Sequence, residues 1–295
     1  MTKLGKRGKS INLFLMDGTA TGRVKCTLAN WTGVAYKIPR TKLDDCKERD
    51  DLKQSGVYFL FGVSDDKEEN IAYIGQAGAR KNGEGILYRI QEHKRNSDKD
   101  YWTEAVVFTT SNNSLGPTEI SYLENRFFNL AKEVDRYDVK NKVDPCSGNV
   151  TEEKESELEE FIEYATIVMG ALGHRIFDSL KEESTDKVKE DKNSIAEPLL
   201  YLKTGKVDAK GIRTNEGFVI YEGATVSDVP TKSCPETIRN LRNKYSERVK
   251  EGILTENTPF NSPSAAAGFL IYSSANGMEM WKDENGRTLK QIENN

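Results

Sequence analysis

The residues that could do chemistry in this chain gather between positions 56 and 141. Glu124 lies inside an apolar stripe that Ile120, Leu123, Phe127, Phe128, Ala131 and Val134 draw along a helical run. A carboxylate there neutralises by a raised pKa unless a cation compensates it, either an arginine or a bound metal. The plainer alternative puts Glu124 at the rim of the stripe, paired with Arg126 or a lysine. Arg89 and His93 stand four residues apart on a shorter helical run and so share a face beside Ile86 and Ile90. A rigid fork of donors next to a group that gives or takes a proton near neutral pH suits a phosphate. Its plainer alternative is ordinary polar contact with Glu92. Tyr58 and Tyr73 fall in two β-rich runs, where period-two alternation sets Tyr58 and Leu60 on one face and Val57, Phe59 and Phe61 on the other. Tyrosine is a good strand former in its own right, so only this company makes the pair interesting.

The elements that must position these residues follow from patterning. INLFL, RVKCTL and GVAYKIP predict a small antiparallel sheet over 11–39, around a turn at Asp17-Gly18. GVYFLFGV (56–63) and NIAYIG (70–75) predict a hairpin with a long polar loop, ILYRIQEHKR a helix, EAVVFTT a third strand, and PTEISYLENRFFNLAKEV a longer helix opened by Pro117. The glycines 75, 78, 83 and 85 lie between a strand and a helix, but GQAGARKNGEG has neither GxGxxG nor a glycine-lysine-serine ending. A mobile loop carrying Arg80 and Lys81 towards an anion fits that stretch better. Residues 143–160 are Glu-rich and predict a boundary or a frayed helix start, 157–177 a helix, and 181–198 a charged linker. Beyond it, GFVIYEGATV predicts a strand, PETIRNLRNKYSERVKEG a helix with Ile238, Leu241, Tyr245 and Val249 on one stripe, Ser262-Pro263-Ser264 a helix cap, and MEMWKDENGRTLKQI a hairpin around Asn285-Gly286.

Composition narrows the function classes. The 295 residues are 36% hydrophobic and 31% charged, with no apolar run near the ~18–20 residues that cross a bilayer. A soluble protein without membrane association is expected. The basic start MTKLGKRGKS leads into INLFLMDG, too short for a signal core and without a small-residue cleavage site, so a cytoplasmic protein is expected. Four dispersed cysteines and two histidines exclude a zinc ribbon and predict reduced thiols, so a metal would need oxygen ligands. The net charge of −4 hides an asymmetry: 24 basic against 20 acidic side chains in 1–142, 9 against 16 in 143–211, and 10 against 11 in 212–295. A phosphate-binding surface fits the first half.

In order, Gly56-Val57-Tyr58, Tyr73-Ile74-Gly75, Arg89 with His93, Glu124 and Asn141 resemble the GIY-YIG nuclease domain, with valine in place of the first isoleucine. The resemblance implies an α+β fold, a small antiparallel β-sheet flanked by helices at 55–142. Around it stand an N-terminal β extension (1–54), an acidic helical connector and linker (143–200) and a separate small α+β C-terminal domain (201–295). It implies a metal-dependent endonuclease that hydrolyses phosphodiester bonds in DNA, with RNA left open. Glu124 would hold one Mg²⁺ or Mn²⁺, Arg89 would clamp the scissile phosphate, and His93 would assist. One of Tyr58 and Tyr73 would act as general base, family analogy favouring Tyr58. Asn141 would help to hold the site, and Gly56 and Gly75 would serve backbone packing. INLFLMDG and residues 29–33 (Ala-Asn-Trp-Thr-Gly) ahead of that domain, and residues 212–293 behind it, most specifically SPSAAA and WKDENGRTL, are similar to a bacterial architecture in which a domain of unknown function follows the nuclease. That domain could take a protein partner. The competing functions are a non-cutting nucleic-acid-binding or regulatory protein on a nuclease scaffold, and an interaction module centred on 143–295.

Overall fold

Strands that carry apolar residues at both parities cannot leave a face in water, and the central strands of the first half are of this kind: GVYFLF and AVVF bury every residue. The computed structural model describes residues 8–64, 69–79, 85–96, 99–179, 198–214 and 216–294. The chain divides into two units, Met1–Ser179 and Leu180–Asn295, each of mixed α+β structure.

The first unit comprises β1 (Ile11–Leu15), β2 (Val24–Leu28), β3 (Gly33–Pro39), β4 (Gly56–Val63), β5 (Asn70–Ala77), α1 (Ile86–Arg95), β6 (Trp102–Thr110), α2 (Pro117–Val134), β7 (Asp138–Val139) and α3 (Glu152–Ala171). One seven-stranded sheet runs β1-β2-β3-β6-β4-β5-β7, antiparallel except for β5 with β7. The strands of 11–39, expected as a small sheet ahead of the 55–142 segment, instead continue the same sheet. β3 pairs with β6 along its whole length, from Gly33 opposite Thr110 to Pro39 opposite Glu104. Val57, Phe59 and Phe61 face α2 and α3, packing with Phe108, Phe127 and Phe161, while Tyr58 and Leu60 face α1 with Tyr36, Ile86, Ile90 and Trp102. Each such side chain contributes roughly 1.5–3 kcal/mol through burial.

The Glu-rich run at 152–155 is an ordered first turn rather than a frayed one. The Thr151 hydroxyl accepts from Lys154 N, and Glu152, Glu153 and Glu155 complement the helix dipole. The helix predicted to reach Phe177 stops at Ala171, where Gly173 turns the chain at φ +98°. Beyond the turn Phe177 packs edge-on against Phe59 at 5.7 Å.

The second unit holds β8 (Leu200–Thr204), β9 (Val207–Thr214), β10 (Gly217–Ile220), α4 (Glu236–Lys244), β11 (Val249–Lys250), β12 (Ile253–Leu254), β13 (Thr258–Phe260), α5 (Pro263–Ile271), α6 (Gly277–Met280) and α7 (Leu289–Glu293). Its antiparallel sheet runs β13-β10-β9-β8, over a core built on Phe218, Phe260, Phe269 and Trp281. The Trp281 indole donates to Pro263 O at 3.0 Å. Ser262 caps α5 as expected, accepting from Ala265 N. One expectation fails here. The helix at 235–252 covers only nine residues, and Val249 lies on a short strand. The Asn285-Gly286 turn forms as expected: Lys282 and Thr288 make an antiparallel bridge across it, Asp283 N donates to Arg287 O at 2.9 Å, and Asp283 Oδ1 accepts from the Asn285 and Arg287 amides, with short helices beyond on either side. Cys26, Cys46 and Cys234 are buried free thiols, and Cys146 is exposed. The expected linker lies outside the described residues through 197.

Candidate active site

Near one margin of the large sheet, β5 loses its neighbour halfway along. β7 pairs only with Ile71 and Ala72. Past that point the Asn141 side chain takes over: its Oδ1 accepts from Ile74 N at 3.1 Å, and its Nδ2 donates to Ile74 O at 2.8 Å. An amide side chain thus satisfies the backbone groups that a continued strand would have paired. A cleft of about 840 Å³ opens at this margin, with Tyr73, Gln76, Lys99, Glu124, Asn141 and Lys142 in its lining. α1 supplies groups from one face of the sheet and α2 from the other.

Behind the cleft, Tyr58 and His93 form a sealed pair. Both are buried, and their Oη and Nε2 atoms lie 2.7 Å apart. Tyr58 stands opposite Gly75 in the β4–β5 register, where a Cβ on residue 75 would come within 2.4 Å of the phenol. Glycine is required there by this close approach. Gly56 likewise lies against Phe108 O. Burial drives the Tyr58 phenol well above its ordinary range, the neighbouring Tyr73 and Glu124 adding to the effect and Arg89 opposing it. Burial, together with Lys99 and Arg89, depresses His93 to about 4, so its imidazole is neutral at pH 7.

Tyr73 is the phenol that borders the cleft. It is half-buried, its ring meets His93 at 5.2 Å between centroids, and the Lys99 ammonium rests 3.2 Å from its ring centre. Burial and Glu124 push its pKa up, against the Arg89 charge and a hydrogen bond with Tyr58. Arg89 is bonded to Glu92 at 2.6 Å, the contact foreseen as the plainer alternative, yet its charge is felt at Tyr58, Tyr73 and Glu124. His93 bonds Tyr58.

Glu124 is half-buried on α2. Burial raises its pKa, while hydrogen bonds from Gln76 and the Arg89 charge pull it back. The pairing with Arg126 does not form, because Arg126 bonds Glu159 at 2.5 and 2.9 Å. Among the described residues no group of three His, Cys, Asp or Glu side chains could enclose a metal. A lone half-buried carboxylate in an open cleft fits a hard cation that keeps its waters and takes further oxygens from substrate phosphate, as Mg²⁺ does.

Tyr73, Glu124 and Asn141 therefore meet at the cleft, with Tyr58 and His93 one layer behind and Arg89 beside them. Arg80 and Lys81 lie outside the described residues. Sequence reasoning missed Gln76, Lys99 and Lys142. Gln76 and Lys142 adjoin residues already singled out and could have been found from that adjacency. Lys99 stands in a polar stretch with no local signal.

A second depression, about 390 Å³, contains Lys37, Glu104 and His174 in its lining. Here the groups bond to one another: Lys37 to Glu104 at 3.3 Å and His174 to Glu104 at 2.7 Å.

The comparisons with known proteins bear on the second unit. Residues 200–293 match the model of a family described as a domain of unknown function, DUF4357, at the C-terminal end where such a domain was expected. No curated protein and no solved structure matches the chain. No helix among the described residues is long and apolar enough to cross a membrane.

Proposed function

We propose that the first unit is a metal-dependent endonuclease of the GIY-YIG type, acting on phosphodiester bonds in DNA. The observation that carries this reading is the meeting of Tyr73, Glu124 and Asn141 at one cleft on a sheet margin, with Tyr58 and His93 packed directly behind and Arg89 beside them. Among the described residues no lysine or arginine is bonded to the half-buried Glu124, and its carboxylate would hold Mg²⁺ or Mn²⁺. That cation, once bound, supplies charge neutralisation at the phosphoryl oxygens. Arg89 binds a non-bridging oxygen of the scissile phosphate and offsets the negative charge that builds on it. Tyr73 Oη meets the attacking water and takes its proton as the water oxygen bonds to phosphorus and the bond from phosphorus to the leaving sugar oxygen breaks, that oxygen taking a proton from solvent. Tyr73's own proton passes to Tyr58, and Tyr58's to the neutral His93 Nε2 at 2.7 Å. This order departs from the family analogy that favours Tyr58 as the base, because Tyr58 is sealed behind Tyr73. Asn141 fixes the β5 backbone beside Tyr73 and keeps the cleft open at that margin.

The second reading is a nucleic-acid binder that does not cut. It is favoured by the raised pKa values of both phenols and by the Arg89–Glu92 ion pair. Nicking of supercoiled plasmid with Mg²⁺ decides between the two. Wild type should nick, and Glu124→Gln and Arg89→Ala should each lose about 10²–10³-fold with unchanged circular dichroism. A wild type that cuts no DNA form leaves only the binder.

A further inference from the structure

We propose that Lys99 and Lys142 form a subsite for a backbone phosphate of the nucleic-acid strand, adjacent to the phosphate that Arg89 would hold; this rests on the endonuclease reading of the cleft. Both lysines line the same cleft from different segments of the chain. Neither has a carboxylate within ion-pair distance among the described residues, whereas Lys140 beside them is tied to Asp138 at 2.5 Å and Arg89 to Glu92. Like charges held together without counter-ions raise the potential of a cleft, and an anion relieves it. Lys99 already shows the strain, its pKa brought down to about 8 by burial and by the charges of Arg89 and Lys142.

Both positions are also fixed. The connection that carries Lys99 is clamped by the Arg40 guanidinium, which donates to the carbonyls of Lys94, Lys99, Asp100 and Trp102 at 2.9–3.2 Å. The Lys99 ammonium then lies on the Tyr73 ring. Lys142 follows Asn141, whose amide is bonded twice to Ile74. Cations anchored this way pay little ordering cost when they meet a ligand. A cleft of about 840 Å³ is far larger than one phosphate needs, and Tyr101 in its lining adds aromatic surface beside the charges. Aromatic surface next to unpaired cations is the chemistry of a polynucleotide rather than of a free anion.

The test is binding of a fluorescein-labelled DNA duplex by anisotropy in EDTA, across a range of KCl concentrations. Lys99→Met and Lys142→Met should each reduce the log–log salt slope by about 0.9, and the double variant by about twice that. Lys99→Arg should keep the wild-type slope, and thermal melts should confirm that all variants fold. Wild-type slopes in both single variants would overturn the subsite. Displacement of the duplex by millimolar orthophosphate from wild type but not from the double variant would support it. Orthophosphate binding with no duplex binding would overturn the strand assignment. Cutting is scored separately. A chain that never nicks plasmid yet loses slope on Lys99→Met retains the subsite and loses the nuclease reading, while one that nicks with unchanged slopes does the reverse.

Discussion

Two depressions on one sheet each gather a lysine, a glutamate and a histidine, the histidine of the larger lying just behind its wall, and they differ in how these groups are paired. In the smaller, Glu104 accepts from both Lys37 and His174, Lys37 also reaches Leu172 O at 3.3 Å, and His174 stacks on Phe61 at 3.7 Å. Burial would raise the Glu104 carboxyl, but the His174 hydrogen bond and the Lys37 charge outweigh it and leave the pKa lowered. In the larger, Glu124 keeps a raised pKa, His93 a depressed one, and Lys99 stands without a counter-ion among the described residues. Groups that satisfy one another hold a fold together, here fastening the chain after α3 to the sheet. Groups left displaced from their ordinary protonation behaviour are available to a substrate. Lysine, glutamate and histidine in one place therefore do not identify a site; their lack of mutual pairing does.

This contrast can be broken by stability measurements. The largest effect concerns His93. Its folded pKa lies below the unfolded one, so its contribution is complete above about 6.5 and is lost as pH falls towards about 4. Wild type should lose on the order of 3 kcal/mol through this group between pH 7 and pH 4. Denaturant titrations of His93→Gln should show a correspondingly flatter pH dependence, and equal slopes would remove the buried neutral imidazole from the account. Next comes Glu104→Gln, which breaks a partly buried cluster and should cost about 2 kcal/mol at pH 7 while leaving plasmid nicking at the wild-type rate. The smallest effect has the opposite sign. Because the raised Glu124 pKa means its contribution to stability is lost as pH rises through that value, Glu124→Gln should be neutral or stabilise by up to about 1 kcal/mol at pH 7. Equal destabilisation by the two substitutions would erase the difference between the depressions.

Much of the positioning scaffold was legible in the sequence, because period-two runs such as GVYFLFGV and the stripe of α2 opened by Pro117 state their own geometry. The clustering of Glu124 with Tyr73 was legible only as a resemblance, since no periodicity says that α2 crosses a sheet margin at β5. What escaped was set by pairing between distant segments. That β3 joins β6 depends on a contact across more than sixty positions. The nine-residue length of α4 depends on Val249 finding a strand partner in Leu254. Lys99 belongs to the same class: a lysine among polar neighbours becomes notable only once Arg40 has clamped its loop beside Tyr73.

The most direct test of the endonuclease reading is a crystal of the full chain soaked in Mn²⁺ and measured for anomalous scattering. One strong peak is expected in coordination contact with a Glu124 carboxylate oxygen, on the side of the cleft that faces Arg89 and Tyr73, and no such peak in Glu124→Gln. A peak at Glu104 or elsewhere with Glu124 bare, or none at saturating Mn²⁺, would contradict that reading.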